Sequence, residues 1–219
     1  MAQGARWIRL GLVEPTDLHA SYAGLASAMP PDAAPIVLWA QAGKQLCLCR
    51  GTEGGDRLAW AEERQHVFVV IAPARLAPGR ASRWTAWALS PAVAAYRDFG
   101  QHAYLNGSEI WLQGRKIACS SAAAIGGCVV VASSFPFADC VETAPARGFR
   151  RWLRSGLALA PTEWTVDGDA PPERVLEATL RARIEAQHGW QFENSWPTPI
   201  ERAAIEEARR ERVETVESG

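Results

Sequence analysis

Two hydrophobic rhythms alternate along the chain. Residues 66–74 (HVFVVIAPA) are apolar at almost every position, which predicts a strand buried on both faces near the centre of a sheet. Residues 128–135 (CVVVASSF) read as a second buried strand. Two shorter apolar runs, 35–41 (PIVLWAQ) and 44–51 (KQLCLCRG), flank an Ala-Gly pair and read as a hairpin. Residues 84–91 (WTAWALSP) read as a further strand, and 109–121 (EIWLQGRKIACSS) as a hairpin turning at Gln113-Gly114.

The other rhythm is helical. In 15–31, Leu18, Tyr22, Leu25, Ala26 and Met29 recur at helical spacing, with Thr16 or Asp17 as the cap and Pro30-Pro31 as the stop. Residues 91–100 predict a short helix ending at Gly100. In 145–161, Phe149, Trp152, Leu153, Gly156 and Leu157 share one helical face, and Arg150, Arg151 and Arg154 lie elsewhere. Residues 171–190 open with proline and close at Gly189, and 198–214 open on a Thr198-x-x-Glu201 capping box. Strands followed by helices indicate an α+β domain, with a core over 1–160 and a C-terminal helical elaboration of the same domain over 161–219.

Composition narrows the classes. The 219 residues suffice for one sizeable core. Ten Trp promise large buried aromatic area, in a core or around a ligand. A net charge of −1 lacks the basic footprint of a nucleic-acid binder. No apolar run is long enough to span a bilayer, and the first residues, MAQGARWIRLGLVEP, lack the apolar core of a secretory leader. The five cysteines (Cys47, Cys49, Cys119, Cys128, Cys140) form no CxxC pair and none has an adjacent His, so a metal site is not expected. They suit free thiols in a reducing cytoplasm. His19, His66, His102 and His188 are isolated in sequence and are assigned surface or capping roles.

No complete catalytic motif is present: no phosphate-binding Gly-Lys-Ser/Thr loop, no GxGxxG after a strand, no HExxH and no GxSxG. The glycine-rich GTEGGD (51–56) reads as a turn. The Arg115-Lys116 pair follows a turn, and Lys116 is followed by the small or apolar run Ile117-Ala118-Cys119-Ser120-Ser121. A cation in an apolar cleft can hold a carboxylate, a phosphate or a developing oxyanion. The plainer alternative is an exposed hairpin lysine.

The run Glu109-Ile110-Trp111-Leu112-Gln113-Gly114-Arg115-Lys116-Ile117-Ala118 resembles the signature of the biotin/lipoate A/B protein ligase superfamily. The order of elements agrees over roughly residues 6–190, and the hairpin is its specific part. The resemblance implies a mixed, largely antiparallel β-sheet flanked by helices. It implies a ligand set of lipoate or biotin with ATP, and a partner that is a lipoyl or biotinyl carrier domain or an acyl carrier protein. Lys116 would contact the acyl carbonyl, and Ser108, Glu109, Gly114, Ala118, Cys119 and Ser120 would line the ligand. Related octanoyltransferases use a Cys nucleophile with the same Lys, which makes Cys140, in SSFPFADCVET, the candidate thiol. Where the family carries an Arg-rich strand end and a Gly-Gly-Gly stretch, the reading aligns APARLAPGRASRW (72–84), with Arg75, Gly79, Arg80 and Arg83 as anion-binding candidates. Two functions follow as expectations. One is binding or transfer of a lipoyl, octanoyl or biotinyl group to a carrier lysine. The other is a catalytically degenerate relative that binds an acyl group or carrier without ATP-dependent ligation.

Overall fold

A computed structural model describes residues 2–42, 45–50, 56–61, 65–112, 115–135 and 171–217. In chain order the elements are β1 (Gln3–Val13), α1 (Pro15–Ala28), β2 (Ile36–Ala42), β3 (Gln45–Arg50), β4 (Asp56–Ala61), β5 (Gln65–Pro73), α2 (Trp84–Asp98), β6 (Ala103–Asn106), β7 (Glu109–Leu112), β8 (Arg115–Ile125), β9 (Cys128–Ser134), α3 (Glu173–His188), β10 (Trp190–Ser195) and α4 (Pro199–Glu217). Eight strands form one sheet in the order β10-β1-β2-β5-β9-β8-β7-β6, and β3 pairs with β4 in a separate ladder. Among the described strands only β10–β1 and β1–β2 are parallel; the remaining pairs are antiparallel.

The central strand explains the layering. Along β5, Phe68, Val70 and Ala72 enter a core shared with α2 and α3, while Val67, Val69 and Ile71 enter a second core shared with α1 and α4. A period-2 backbone with apolar residues at every position must be covered on both faces, so helices lie on each. Full burial of each Val, Ile or Phe contributes about 1.5–3 kcal/mol.

Several elements depart from the sequence reading. β2 does not form a hairpin with β3: it lies between β1 and β5. β1 and β5 occupy both hydrogen-bonding edges of β2, which leaves no place for β3, and helices on the two faces bury Ile36, Val37, Leu38, Trp39 and Ala40. Residues 84–91 are helical, because Ala88, Leu89, Ala92, Val93, Ala95 and Tyr96 recur at helical spacing and are buried, even with Pro91 inside the helix. The cap of α1 is Glu14, with Pro15 opening the first turn, and not Thr16 or Asp17. Strands β1, β4, β6 and β10 were not anticipated, and β10 makes the C-terminal portion a contributor to the main sheet. The expected helix at 145–161 lies outside the described residues. The Thr198 capping box is present: Thr198 N–H donates to Glu201 Oε2 at 2.7 Å, and Glu201 N–H donates to Thr198 Oγ1 at 3.3 Å. Arg6 Nη1 adds a hydrogen bond to Glu201 Oε1 at 2.5 Å, tying β1 to the start of α4.

At the end of α3, His188 lies beside the rings of Trp87 and Trp190, each centroid 4.8 Å away, and its buried Nε2 has no hydrogen-bond partner among the described residues. Burial pushes its pKa down to about 4. Below its ordinary value near 6.5, the unfolded chain binds a proton that the folded chain does not. Stability therefore falls as pH drops from about 6.5 to 4, and His188 has no further effect above that window. His66, lowered by burial against the opposing pull of Glu173 and Glu177, acts in the same direction. A loss of about 2 kcal/mol from His188, allowing for its partial exposure, is expected in urea melts across this window. Much of the slope should vanish in His188→Phe.

Candidate functional site

The β7–β8 hairpin is where the candidate residues gather. β7 and β8 pair antiparallel, with Glu109 opposite Cys119, Ile110 opposite Ala118, Trp111 opposite Lys116 and Leu112 opposite Arg115. Ile117 is the extra residue of a β-bulge, placed immediately after Lys116. Bulges bend a strand and interrupt its alternation, and they are over-represented beside active sites. Ile110 and Ala118 anchor the hairpin in the core shared with α2 and α3. Ser120 Oγ donates to the Ser108 carbonyl, and Trp111 Nε1 donates to Glu109 Oε2 at 3.0 Å. Ser108, Glu109, Ala118, Cys119 and Ser120 thus share one hairpin with Lys116. For Arg115, Lys116 and Cys119 the description is of the backbone alone. Gly114 and Cys140 lie outside the described residues.

Arg75, Gly79, Arg80 and Arg83 are not brought to this hairpin. β5 and β8 both run antiparallel to β9, so they point the same way. The end of β5 therefore sits beside the end of β8, where Pro73 and Ile125 both lie opposite Cys128 and Ala74 N–H donates to Gly127 O at 3.1 Å. Lys116 is at the start of β8, roughly 25–30 Å away at about 3.3 Å per residue. There, 74–83 forms two short 3₁₀ turns, and Arg75 donates to the carbonyls of Pro31 at 2.9 Å and Ala33 at 3.1 Å. Arg80, Arg83 and Gly79 are exposed. This arginine-bearing stretch does not fit a phosphate group held at Lys116.

A polar cluster that sequence reasoning overlooked lies at the same end of the sheet as Lys116. Glu177, 4% exposed, accepts from Trp7 Nε1 at 2.6 Å and from Arg9 Nε at 2.5 Å. Glu173 accepts from Trp39 Nε1 at 3.4 Å and from Gln41 Nε2 at 2.9 Å. The first turns of α3 are thereby fastened to β1 and β2. His66 stacks on Trp39, centroids 5.0 Å apart at 11°, and its buried Nδ1 has no hydrogen-bond partner among the described residues. Phe135 N–H donates to His66 O at 2.7 Å, and Ser133 pairs with Ser120, so His66, Phe135 and Ala118 fall in one row across the sheet. The available signal was Trp7-x-Arg9 on alternating positions, legible only once β1 is known to be a strand. Glu177→Ala strands a buried indole N–H and should cost about 2–4 kcal/mol, read as a lower urea midpoint at unchanged slope. Glu177→Gln, which keeps one acceptor, should cost less.

Among the described residues no three His, Cys, Asp or Glu side chains are gathered to hold a metal ion, and no helix is long and apolar enough to cross a membrane.

No protein-family model matches the sequence, and no curated protein does. Solved structures do match in fold. The bi-partite lipoate protein ligase of Thermoplasma acidophilum, studied with its E2 lipoyl domain, superimposes with a TM-score of 0.74 at 13% identity, covering 95% of this chain and 92% of that one. A lipoate-protein ligase A bound with ATP gives 0.70 at 13%, covering 95% of each. The Leishmania major biotin protein ligase in complex with biotinyl-5-AMP gives 0.52 at 12%, covering 95% of this chain and 80% of that one. The chain shares the α+β fold of these lipoate and biotin protein ligases. At these identities the likeness is one of fold.

Proposed function

We infer that this protein binds a lipoyl, octanoyl or biotinyl-type acyl group and transfers it to a lysine of a lipoyl or biotinyl carrier domain. The observation that carries the reading is the β7–β8 hairpin: within a ligase fold, the Arg115-Lys116-Ile117-Ala118 run follows the hairpin turn, with a bulge immediately after Lys116. In this reading the Lys116 ammonium faces the acyl carbonyl oxygen. It stabilises the negative charge that develops there as the carrier amine attacks. Ser108, Glu109, Gly114, Ala118, Cys119 and Ser120 shape the surroundings. In the thioester route Cys140 takes the acyl group from a carrier-protein thioester, releasing the carrier thiol, and the attacking lysine amine then expels the Cys140 thiolate. Among the neighbours, a lipoate-protein ligase A is bound with ATP and a biotin protein ligase is in complex with biotinyl-5-AMP, which supports lipoate or biotin with ATP as the ligand set. Arg75, Arg80 and Arg83 lie at the other end of the sheet from Lys116 and supply no phosphate contact there.

That same separation favours a second reading, an acyl- or carrier-binding relative without ATP-dependent ligase activity. One experiment separates the two. The purified chain is incubated with an unmodified lipoyl domain and either lipoate or biotin plus ATP, or octanoyl carrier protein. Intact mass of the lipoyl domain is followed alongside pyrophosphate release, and acid binding is followed by calorimetry. An acylated lipoyl domain supports transfer. Acid binding without acylation in any arm supports the second reading. Neither binding nor acylation by folded protein overturns both. Loss of an octanoyl adduct in Cys140→Ser would support the thiol role.

A further inference from the structure

Among the described residues β10 is an edge strand of the eight-stranded sheet, and the outward main-chain groups of its central residue, Phe192, are already occupied. Gln3 N–H donates to Gly189 O at 3.1 Å, and strand alternation then turns Gln191 and Glu193 toward β1 and Phe192 outward. The Phe192 N–H donates to Glu185 Oε1 at 3.1 Å, and the Phe192 carbonyl accepts from Arg181 Nη2. Arg181 Nη1 also donates to Asn194 Oδ1 at 2.8 Å, and its guanidinium lies over the rings of Phe192 at 5.6 Å and Trp7 at 5.9 Å. Arg181 and Glu185 are one helical turn apart on α3 and are themselves paired at 3.5 Å. Together they supply the donor and acceptor that a neighbouring strand would supply. The opposite edge is treated alike: Arg97 Nε, from α2, donates to the carbonyl of Ala103 on β6 at 3.1 Å.

An open edge strand is a template for pairing with another chain. β10 is six residues long and ends beside Trp196 and Ile200, which are 76% and 75% exposed. Two copies placed antiparallel about a twofold axis at Phe192 would extend the sheet and bring these two side chains near the neighbour, a self-complementary arrangement. We propose that Arg181 and Glu185 form a side-chain lock on β10 that keeps the sheet from pairing with a second copy of this chain.

The test is sedimentation of the full chain at about 1 and 100 µM, with hydrogen exchange at the Phe192 amide. Wild type should remain monomeric at both concentrations with a protected Phe192 amide. Arg181→Ala/Glu185→Ala should self-associate at least about tenfold more tightly, and adding Asn194→Pro, which removes an outward N–H, should restore the monomer. If the double variant does not fold, Glu185→Ala alone, with the Arg181 contacts kept, should speed exchange at Phe192 and give a smaller shift toward dimer. The lock is refuted by a wild type that already dimerises through β10. It is equally refuted by a folded double variant that stays monomeric, or by Glu185→Ala with unchanged exchange and no dimer.

Discussion

Gly24→Ala should destabilise the protein by at least about 3 kcal/mol, and Gly24→Leu by more, although the position lies on a helix where alanine is ordinarily the better residue. A Cβ on Gly24 would stand 2.5 Å from both Cα and N of Ile205 and 2.7 Å from the carbonyl carbon of Ala204. Those are backbone atoms of α4, so no side chain can rotate aside and the helices must separate. Leu25, Ala26 and Ile205 lie in the core that such a separation would open. In a chain of this length the loss corresponds to a fall of roughly 6–12 °C in Tm. A second close contact reinforces the same layer: a Cβ on Gly126, whose φ is +56°, would lie 2.6 Å from the carbonyl oxygen of Ala26, in the same last turns of α1 as Gly24. The result bears on domain organisation as well. We propose that residues 161–219 belong to the same domain as 1–160, and then Gly24→Ala should shift one cooperative transition. Two separated transitions, with only one moved, would contradict that.

What the sequence made legible follows physical rules that act locally. β5 and β9 stood out because burial on both faces leaves their central positions apolar. α3 and α4 stood out because Pro171-Pro172, Gly189 and the Thr198–Glu201 box mark helix ends by backbone chemistry. The misses arose where a distant partner overrides the local pattern. β1 carries Arg6 and Arg9 among its apolar residues, and these charges make sense only beside Glu201 and Glu177, which lie more than 160 residues away in the chain. The β2–β3 hairpin was the expected local solution, and β1 and β5 displaced it because they cover β2 on both sides. At the site, the β7–β8 hairpin was readable from its turn. The position of Arg75, Arg80 and Arg83 was not, because strand direction in the folded sheet, and not sequence order, decides which ends meet.

Lys116→Ala should abolish most acyl transfer, by about 10²–10³-fold in kcat, if the ammonium stabilises the developing oxyanion. A cation that acts at the transition state changes kcat more than the affinity for the acid, so acid binding should weaken far less than turnover falls. Lys116→Arg keeps the charge but spreads it over a planar fork, and should recover only part of the rate. The alternatives give different patterns. If Lys116 is an exposed hairpin lysine, both substitutions leave binding and turnover unchanged. If the chain binds acyl groups without reacting, Lys116→Ala lowers affinity for the carboxylate and there is no turnover to lose. Because Lys116 sits next to a bulge, each variant must first match wild type in its urea midpoint, so that a lost rate reports the missing ammonium and not a displaced strand.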